Sequence, residues 1–408
     1  MLSHIKQKIE LSWEKNSGEF YTLISGKIKR TLRYAAMEQS DNCVPVFVFH
    51  SVEPTCFERQ LKFLASNGYD TLDSETLLEI LKGVKKKQKK CVALTFDDAT
   101  GSFWTTAFPL LKKHKARGIL FVIPGLVPHD TDYYPNLNDF WQGKCSIQKI
   151  EEREQEKPLC TWEELIKMDE SGIVDIQSHS LTHSRVNISS EIVDFINPNF
   201  DTYFYENVNI PISRNENKKR PLRKIQMGMP VYRSASRLSG LKRFFENSTI
   251  QEKMIAHIKD NGSESFFLKP AWKKKLKKKY LNLVHDSGLQ IEYESQRETI
   301  AELEYEFKKS KQILEQNLPG KSISHFCYPW FQGSPLSDKI ALNCGYESVF
   351  YGYGDILNDG ECSPLPQKIF RISEEYLLCL PGFGNKSILS TFFKKNMKNI
   401  QKILFKNK

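Results

Sequence analysis

The sequence lacks any long apolar run and any paired arrangement of cysteines. No stretch reaches about 18 uncharged apolar residues, so a membrane-spanning helix is not predicted. The first twenty residues (MLSHIKQKIELSWEKNSGEF) contain no uninterrupted apolar run of the secretory-signal kind, which predicts a cytoplasmic protein. The nine cysteines are odd in number and form no C-x-x-C pair, so reduced thiols are predicted rather than a disulfide framework.

Composition excludes a disordered chain, and the distribution of charge limits the partners. A hydrophobic fraction of 40% over 408 residues supplies a large core. Lys and Arg number 59 against 49 for Asp and Glu, and the excess lies in local runs at 85–90, at 273–279 and after Asn385. The first two runs are interpreted as solvated faces. Nucleic-acid binding is not predicted, because no aromatics are interleaved with arginines and no known module is visible.

Seven short runs rich in β-branched and aromatic residues predict strands, and several are separated by helical patterns. The runs are 46–50, 92–96, 119–123, 173–178, 323–328, 348–351 and 369–372. Strand followed by helix, repeated, implies parallel pairing, and nearly continuous apolar runs are typical of strands covered by helices around a filled interior. The predicted fold is therefore α/β, a distorted (β/α) barrel of about seven parallel strands with a large insertion and helical termini.

Three regions are predicted along the chain: a basic helical extension at 1–43, a barrel at 44–385 interrupted by an insertion at 186–300, and a basic amphipathic helix at 386–408. The insertion is either a lid over one end of the barrel or an independent second domain. In the last helix, apolar residues recur every three or four positions opposite lysines. This pattern predicts either packing onto the barrel or peripheral contact with an anionic membrane. The apolar positions are Leu389, Phe393, Met397, Ile400 and Leu404.

Two motifs place metal-ligating side chains at predicted strand ends. In ALTFDDA at 93–99, Asp97 and Asp98 follow a strand, and adjacent side chains diverge, so one can ligate a metal while the other accepts a proton. In IQSHSLTHSRV at 176–186, His179 and His183 are spaced as two imidazoles that converge on one metal. Either motif alone could be an ordinary turn. Together they provide three ligands and an open coordination position, where a cation acidifies a water molecule and polarises a carbonyl.

These motifs resemble those of the polysaccharide deacetylase family, also called the NodB-homology domain or carbohydrate esterase family 4, whose members are distorted barrels. The likeness rests on LTFDDA at 94–99, SHSLTH at 178–183 and CYPWFQGS at 327–334, in the family's order. It is supported by FVFHSV at 47–52, ILFVIPG at 119–125 and FRIS near the end of the barrel. Outside the insertion, the resemblance covers roughly residues 44–383.

The resemblance implies a complete set of site residues. Asp98, His179 and His183 would hold a divalent metal, and zinc is favoured by two imidazoles and one carboxylate. Asp97 would be the general base that deprotonates the attacking water, and the backbone amide of Trp330 would stabilise the oxyanion. The implied partner is an N-acetylated glycan or glycan precursor, and the products are a free amine and acetate.

Three departures from the family pattern affect the expected mechanism. Ala99 stands where the family usually has glycine, which matters if positive φ is required there. Cys327 and Tyr328 stand where many members place an arginine before the proline, and Arg371 on the last strand is either its substitute or a packing residue. The family's late Leu-x-His motif, which carries the general acid, has no counterpart after Tyr328. His50, at the end of the first strand, is a candidate proton donor or sugar-binding residue, and the alternative is an inert histidine at the barrel rim.

The leading hypothesis is a metal-dependent hydrolase that removes the N-acetyl group from an amino sugar in a polysaccharide or its precursor. One alternative is hydrolysis of another carbon–nitrogen bond by the same metal site. A second alternative is a catalytically inactive barrel that binds glycan, which the missing general acid and Ala99 favour.

Overall fold

The computed structural model describes residues 18–36, 43–87, 90–130, 132, 134–156, 158–200, 225–288, 291–353 and 366–405. Parts of the predicted extension (1–17 and 37–42) and of the predicted insertion (201–224) lie outside the described residues. The chain divides into two compact units. The first unit comprises Met1–Leu181, Lys308–Phe331 and Ala341–Lys408, and the second comprises Thr182–Phe307 and Gln332–Ile340.

Strands and helices alternate through most of the first unit. The strands of the described chain are β1 (Val46–Phe49), β2 (Asp70–Leu72), β3 (Cys91–Phe96), β4 (Gly118–Val122), β5 (Val174–Ser178), β6 (Arg185–Phe195), β7 (Pro230–Ser236), β8 (His325–Cys327), β9 (Ser348–Tyr351), β10 (Gln367–Phe370) and β11 (Ile372–Ser373). The α-helices are α1 (Lys27–Tyr34), α2 (Pro54–Ser66), α3 (Ser74–Leu81), α4 (Phe108–Lys113), α5 (Leu137–Trp141), α6 (Ile147–Glu156), α7 (Trp162–Glu170), α8 (Ser248–Asp260), α9 (Trp272–Ser287), α10 (Gln296–Asn317), α11 (Pro335–Asn343) and α12 (Ile388–Phe405). Residues 18–24 are also helical.

The main sheet is a parallel barrel that is nearly closed. Its strand order is β10-β9-β8-β5-β4-β3-β1-β11, and β2 pairs with the first half of β3. The two edge strands, β10 and β11, are separated along the chain by Arg371 alone. One continuous segment therefore pairs with β9 at one edge and with β1 at the other. The predicted (β/α) barrel is confirmed, with two corrections: the run at 369–372 is divided into two strands, and the three-residue β2 was not predicted.

Helix α2 illustrates how local sequence forms the outer layer of the barrel. The Glu53 carboxylate accepts hydrogen bonds from two amides of the first turn, and Pro54 occupies the first turn, where its missing N–H is not needed. Phe57, Leu61 and Leu64 are buried on one face, as their spacing predicts. The carboxyl end of β1 is thereby followed directly by a helix packed against the sheet.

The interior of the barrel is apolar, and the alternation of side chains along its strands places polar residues at one end. The interior cluster contains Val46, Ala93, Ile119, Phe121, Cys327, Phe350 and Ile369. Side chains alternate along a strand, so positions two or four residues farther on point the same way. His50, Asp97 and Arg371 share the parity of Val46, Ala93 and Ile369, respectively. The alternation therefore directs these three side chains to the interior at the carboxyl ends of their strands.

A partly buried carboxylate lies near the start of β5. Asp175 accepts hydrogen bonds from the backbone amide and hydroxyl of Ser74 and from the side-chain amide of Gln177, and its carboxylate is 2.9 Å from the Lys321 ammonium. Burial raises the pKa of Asp175, but Lys321 and the hydrogen-bond donors more than offset it and hold the pKa below its ordinary value. The stabilisation from this carboxylate is therefore present above about pH 4 and is lost as the pH falls through the depressed folded-state pKa.

We expect Asp175→Asn to lower the free energy of unfolding at pH 7 by about 2 kcal/mol, because the variant leaves the partly buried Lys321 ammonium with one partner fewer. Asp169, 3.3 Å from the same ammonium, compensates in part. Urea unfolding at pH 7 and at pH 3 measures the effect. The difference from wild type is expected to shrink at pH 3, and an equal difference at both pH values would contradict the assignment.

The second unit has a core of its own. Strands β6 and β7 pair antiparallel, and apolar side chains from both strands and from α8 and α9 form one cluster. Arg237 and Glu294 make a buried, two-bond ion pair with both N···O distances at 2.7 Å. On α9, Leu276 and Tyr280 are buried, whereas most of the lysines of the 273–279 run are exposed, so that run is a solvated helix face as predicted. The two interpretations of the insertion at 186–300, a lid and a second domain, both stay predictions.

The sequence predicts reduced cysteines and no membrane-spanning helix. The eight cysteines within the described ranges all carry free thiols. Across those same ranges, no helix combines the length and the apolar character that crossing a bilayer requires.

Candidate active site

Backbone strain is concentrated in the three motif loops. Nine non-glycine residues of the described chain have positive φ, and six of them lie in LTFDDA, SHSLTH and CYPWFQGS. These six are Asp98, Ala99, Ser180, His183, Trp330 and Phe331. Such a conformation costs roughly 1–2 kcal/mol per residue, and it persists where the surrounding structure enforces it, often at functional sites. Ala99 has a φ of 52°, so this position does adopt the conformation that favours glycine.

Asp97 forms a buried ion pair with Arg371. The guanidinium Nη1 lies 2.7 Å from Oδ1 of Asp97, and Nη2 lies 2.9 Å from Oδ2. Arg371 also donates to the Thr95 hydroxyl and to the Tyr351 carbonyl oxygen, which fixes the plane of the guanidinium. Both partners of the pair are almost completely buried. The arrangement holds the Asp97 carboxylate in one orientation at the end of β3.

The same pair keeps Asp97 ionised. Burial alone raises the pKa of Asp97, but Arg371, with smaller contributions from His179 and His50, holds the pKa below its ordinary value. Burial in turn raises the pKa of the Cys327 thiol, whose sulfur lies 3.7 Å and 3.8 Å from the two Asp97 oxygens. The base candidate is therefore a carboxylate at neutral pH, in contact with a neutral thiol.

His179 is oriented by a backbone carbonyl. Its Nδ1 lies 2.9 Å from the carbonyl oxygen of Cys327, which can only accept, so Nδ1 carries a proton. Nε2 is thereby directed to the carboxylates, 3.4 Å from Oδ1 of Asp98 and 4.0 Å from Oδ2 of Asp97. Burial lowers the pKa of His179, but Cys327, Asp97 and Asp98 raise it well above its ordinary value. The surroundings of Nε2 thus favour a positive charge.

The structure brings the three predicted metal ligands together. One donor atom from each of Asp98, His179 and His183 lies within 4.8 Å of the other two. His183 follows the end of β5 by five residues, and the positive φ values of Ser180 and His183 turn the chain there. Two imidazoles and one carboxylate, with one imidazole fixed through its other nitrogen, fit a divalent cation and leave coordination positions open. Asp97, His179 and Cys327 form a second such group, which is completely buried.

His50 follows the end of β1, and Trp330 follows the end of β8. Nε2 of His50 is 4.0 Å from Oδ2 of Asp97, and 52% of the His50 side chain is exposed. Its ring meets the Phe331 ring edge to face, with the centroids 6.3 Å apart. Trp330 follows β8 in a left-handed conformation with φ 59° and ψ 14°. His50 is thus placed to reach solvent and Asp97 together, whereas the oxyanion role of the Trp330 amide stays a prediction.

Arg371 is the residue whose role the sequence left open. Arg371 makes a two-bond contact with Asp97, which is the contact expected of a substitute arginine, and its role as that substitute stays a prediction. The alternation of side chains along a strand predicts that Arg371 points into the barrel, because Arg371 follows the interior residue Ile369 by two positions. Strand alternation could not predict the closure of the barrel, in which β11 pairs with β1 and Arg371 reaches Asp97 at the end of β3.

Comparisons with known proteins agree with the motifs. Residues 84–213 match the family model described as Polysaccharide deacetylase. YxkH of Bacillus subtilis (strain 168) is 27% identical over 206 residues, which are 46% of this chain and 63% of that protein. The poly-beta-1,6-N-acetyl-D-glucosamine N-deacetylase of Escherichia coli (strain K12) is 26% identical over 132 residues, 32% of this chain and 18% of that protein. Each alignment thus spans less than two thirds of the relative.

The chain also aligns with solved structures at low sequence identity. The de-N-acetylase from Aggregatibacter actinomycetemcomitans aligns with 86% of this chain and 98% of its own, at 14% identity and a TM-score of 0.49. The segment matched by the family model contains β4 and β5 together with LTFDDA and SHSLTH. That segment, with its two motifs, is similar to the polysaccharide deacetylase family.

Proposed function

We propose that this protein is a metal-dependent deacetylase that removes N-acetyl groups from an amino-sugar polymer or its precursor. The observation that carries the proposal is the group formed by Asp98, His179 and His183, next to a buried, oriented Asp97 carboxylate. The relatives named as poly-beta-1,6-N-acetyl-D-glucosamine N-deacetylases support β-1,6-linked N-acetylglucosamine as the first substrate to test.

The proposed base step follows from the geometry around Asp97. Arg371 fixes both carboxylate oxygens and keeps the group ionised, while free lone pairs remain to accept a proton from the attacking water. The water oxygen then joins the acetyl carbon. A divalent cation held by Asp98, His179 and His183 would lower the pKa of that water and polarise the acetyl carbonyl.

In the proposed acid step, His50 donates a proton to the sugar nitrogen, which is the leaving group. Breaking the carbon–nitrogen bond requires a proton on the sugar nitrogen, and His50 is half exposed and 4.0 Å from Asp97, so it can exchange protons with both solvent and the base. The amide of Trp330 is the proposed donor to the oxyanion, since the left-handed turn after β8 redirects the chain there. The products are acetate and a free amine.

The metal assignment makes the first prediction for this site. We expect the purified full chain to carry about one equivalent of divalent metal, because three ligands define one site. His179→Ala is expected to lose the metal and acetate release together. His285→Ala, which removes an exposed histidine of the second unit, is the matched control and should keep both. Metal analysis by mass spectrometry and acetate release from N-acetylglucosamine oligomers are the measurements.

The outcomes separate the three hypotheses. A chain without metal that also releases no acetate would refute the proposal. Tight binding of the oligomers without acetate release would identify a glycan-binding barrel. Metal retained, with hydrolysis of other amides but not of N-acetyl groups, would identify the alternative carbon–nitrogen hydrolase.

A further inference from the structure

Helix α12 presents a row of exposed apolar side chains. Leu389, Phe393 and Met397, here called the apolar row, are 61%, 63% and 56% exposed. Their spacing of four places them on one face of the helix. The prediction that this face packs onto the barrel is therefore wrong for these three residues, and the other prediction, contact with a membrane surface, remains.

The opposite side of α12 fixes the helix to the first unit. Thr391 is buried, with its hydroxyl 3.3 Å from the sulfur of Cys379. The Lys395 ammonium lies 3.0 Å from a carboxylate oxygen of Glu19 and 3.6 Å from one of Glu375. These contacts hold one side of the helix, so the apolar row faces outward from a folded support.

The apolar surface continues onto the helical residues 18–24. The ring of Phe392 lies 6.3 Å from the ring of Phe20, which places the two helices side by side. Tyr21 and Ile24 on that neighbouring segment are also exposed. Single exposed apolar residues are ordinary, but five on adjacent helices form a patch of the kind that marks an interaction surface.

The charge around this patch is mainly positive. The sequence after Asn385 contains seven lysines and no acidic residue. Lys29, Arg30 and Arg33 of α1 are exposed. Of the two carboxylates near Lys395, Glu19 is buried, and both Glu19 and the partly exposed Glu375 are paired with that lysine. A second copy of the chain, related by a two-fold axis, would bring two such lysine-rich helices together, and their positive charges would repel each other. An anionic surface complements the charge instead.

We propose that the apolar row docks onto the surface of an anionic phospholipid bilayer. The apolar row enters the boundary between headgroups and acyl chains, and the lysines contact the headgroup phosphates while their alkyl stems lie along the apolar layer. The barrel would thereby work at a membrane surface. This inference does not depend on the proposed reaction.

Vesicle sedimentation of the full chain tests the proposal. We expect binding to vesicles that contain phosphatidylglycerol and weak binding to pure phosphatidylcholine, with the difference reduced by salt. The double substitution Leu389→Ser with Phe393→Ser is expected to weaken binding at least about tenfold, because two apolar anchors are lost. Lys394→Glu is expected to weaken binding to anionic vesicles only. Leu268→Ser, which removes an even more exposed apolar side chain of the second unit, is the matched control.

Three results would overturn the proposal. The first is sedimentation of the double variant at wild-type level, and the second is equal binding of the wild type to neutral and anionic vesicles. The third is a lipid-free dimer, seen by light scattering, that the double variant abolishes without any binding of the wild type to vesicles. Because the substituted side chains are exposed, the thermal unfolding midpoint of the variant should match that of wild type, which excludes misfolding as the cause.

Discussion

Replacing Asp97 with asparagine is expected to slow acetate release by about 100- to 10,000-fold while the metal content stays unchanged. The amide is nearly isosteric and can still accept a hydrogen bond from Arg371, but it cannot take a proton from water. The reason for expecting unchanged metal is that Asp98, His179 and His183 supply a ligand set without Asp97. Turnover and metal content must be measured on the same preparation.

This experiment also distinguishes two roles for Asp97. Asp97, His179 and Cys327 are close enough to hold a cation themselves. Loss of metal along with activity would make Asp97 a ligand, and unchanged acetate release would remove it from the mechanism. Asp139→Asn is the matched control, because it changes a buried carboxylate that caps α5, and it should leave turnover unaffected.

The second large effect is expected at Arg371. Arg371→Met should lower the free energy of unfolding by about 3–5 kcal/mol, because Asp97 would remain buried without its partner. Turnover should fall as well, and the acid limb of the pH–rate profile should move to higher pH. The direction follows because burial, no longer opposed by the guanidinium, raises the pKa of Asp97. Urea unfolding and pH-dependent acetate release are the measurements.

Arg153→Met separates this role from simple loss of a buried arginine. Arg153 is equally buried and lies 2.7 Å from Glu164, so its loss should destabilise the chain without moving the acid limb. Placing arginine at Cys327 in the Arg371→Met background should restore part of the activity, because that side chain already lies beside Asp97. If Arg371→Met and Arg153→Met shift the pH profile alike, the positioning role of Arg371 is refuted. Arg371→Lys, which keeps the charge but not the two-bond contact, gives an intermediate case if Arg371→Met does not fold.

The sequence located the strands and the motifs because these are local properties. Each of the seven predicted runs overlaps an observed strand, and the face of α2 was read from its spacing. The short strand β2 was not predicted, because three residues that begin with an aspartate show almost no alternation of apolar and polar side chains. The sequence did not predict the left-handed conformation of Ala99, because glycine normally marks such a position and alanine does not.

By itself, the sequence determined the alternation of strands and helices, the parity of the barrel interior, and the residue types suited to a metal and a base. Only the tertiary structure decided that Arg371 pairs with Asp97, because that contact joins residues 274 positions apart and exists only when the barrel closes. It also decided that the apolar row of α12 faces outward. The amphipathic pattern defines an apolar face and a polar face of the helix. The ion pair between Lys395 and Glu19, two distant positions in the chain, decides which side packs against the rest of the first unit.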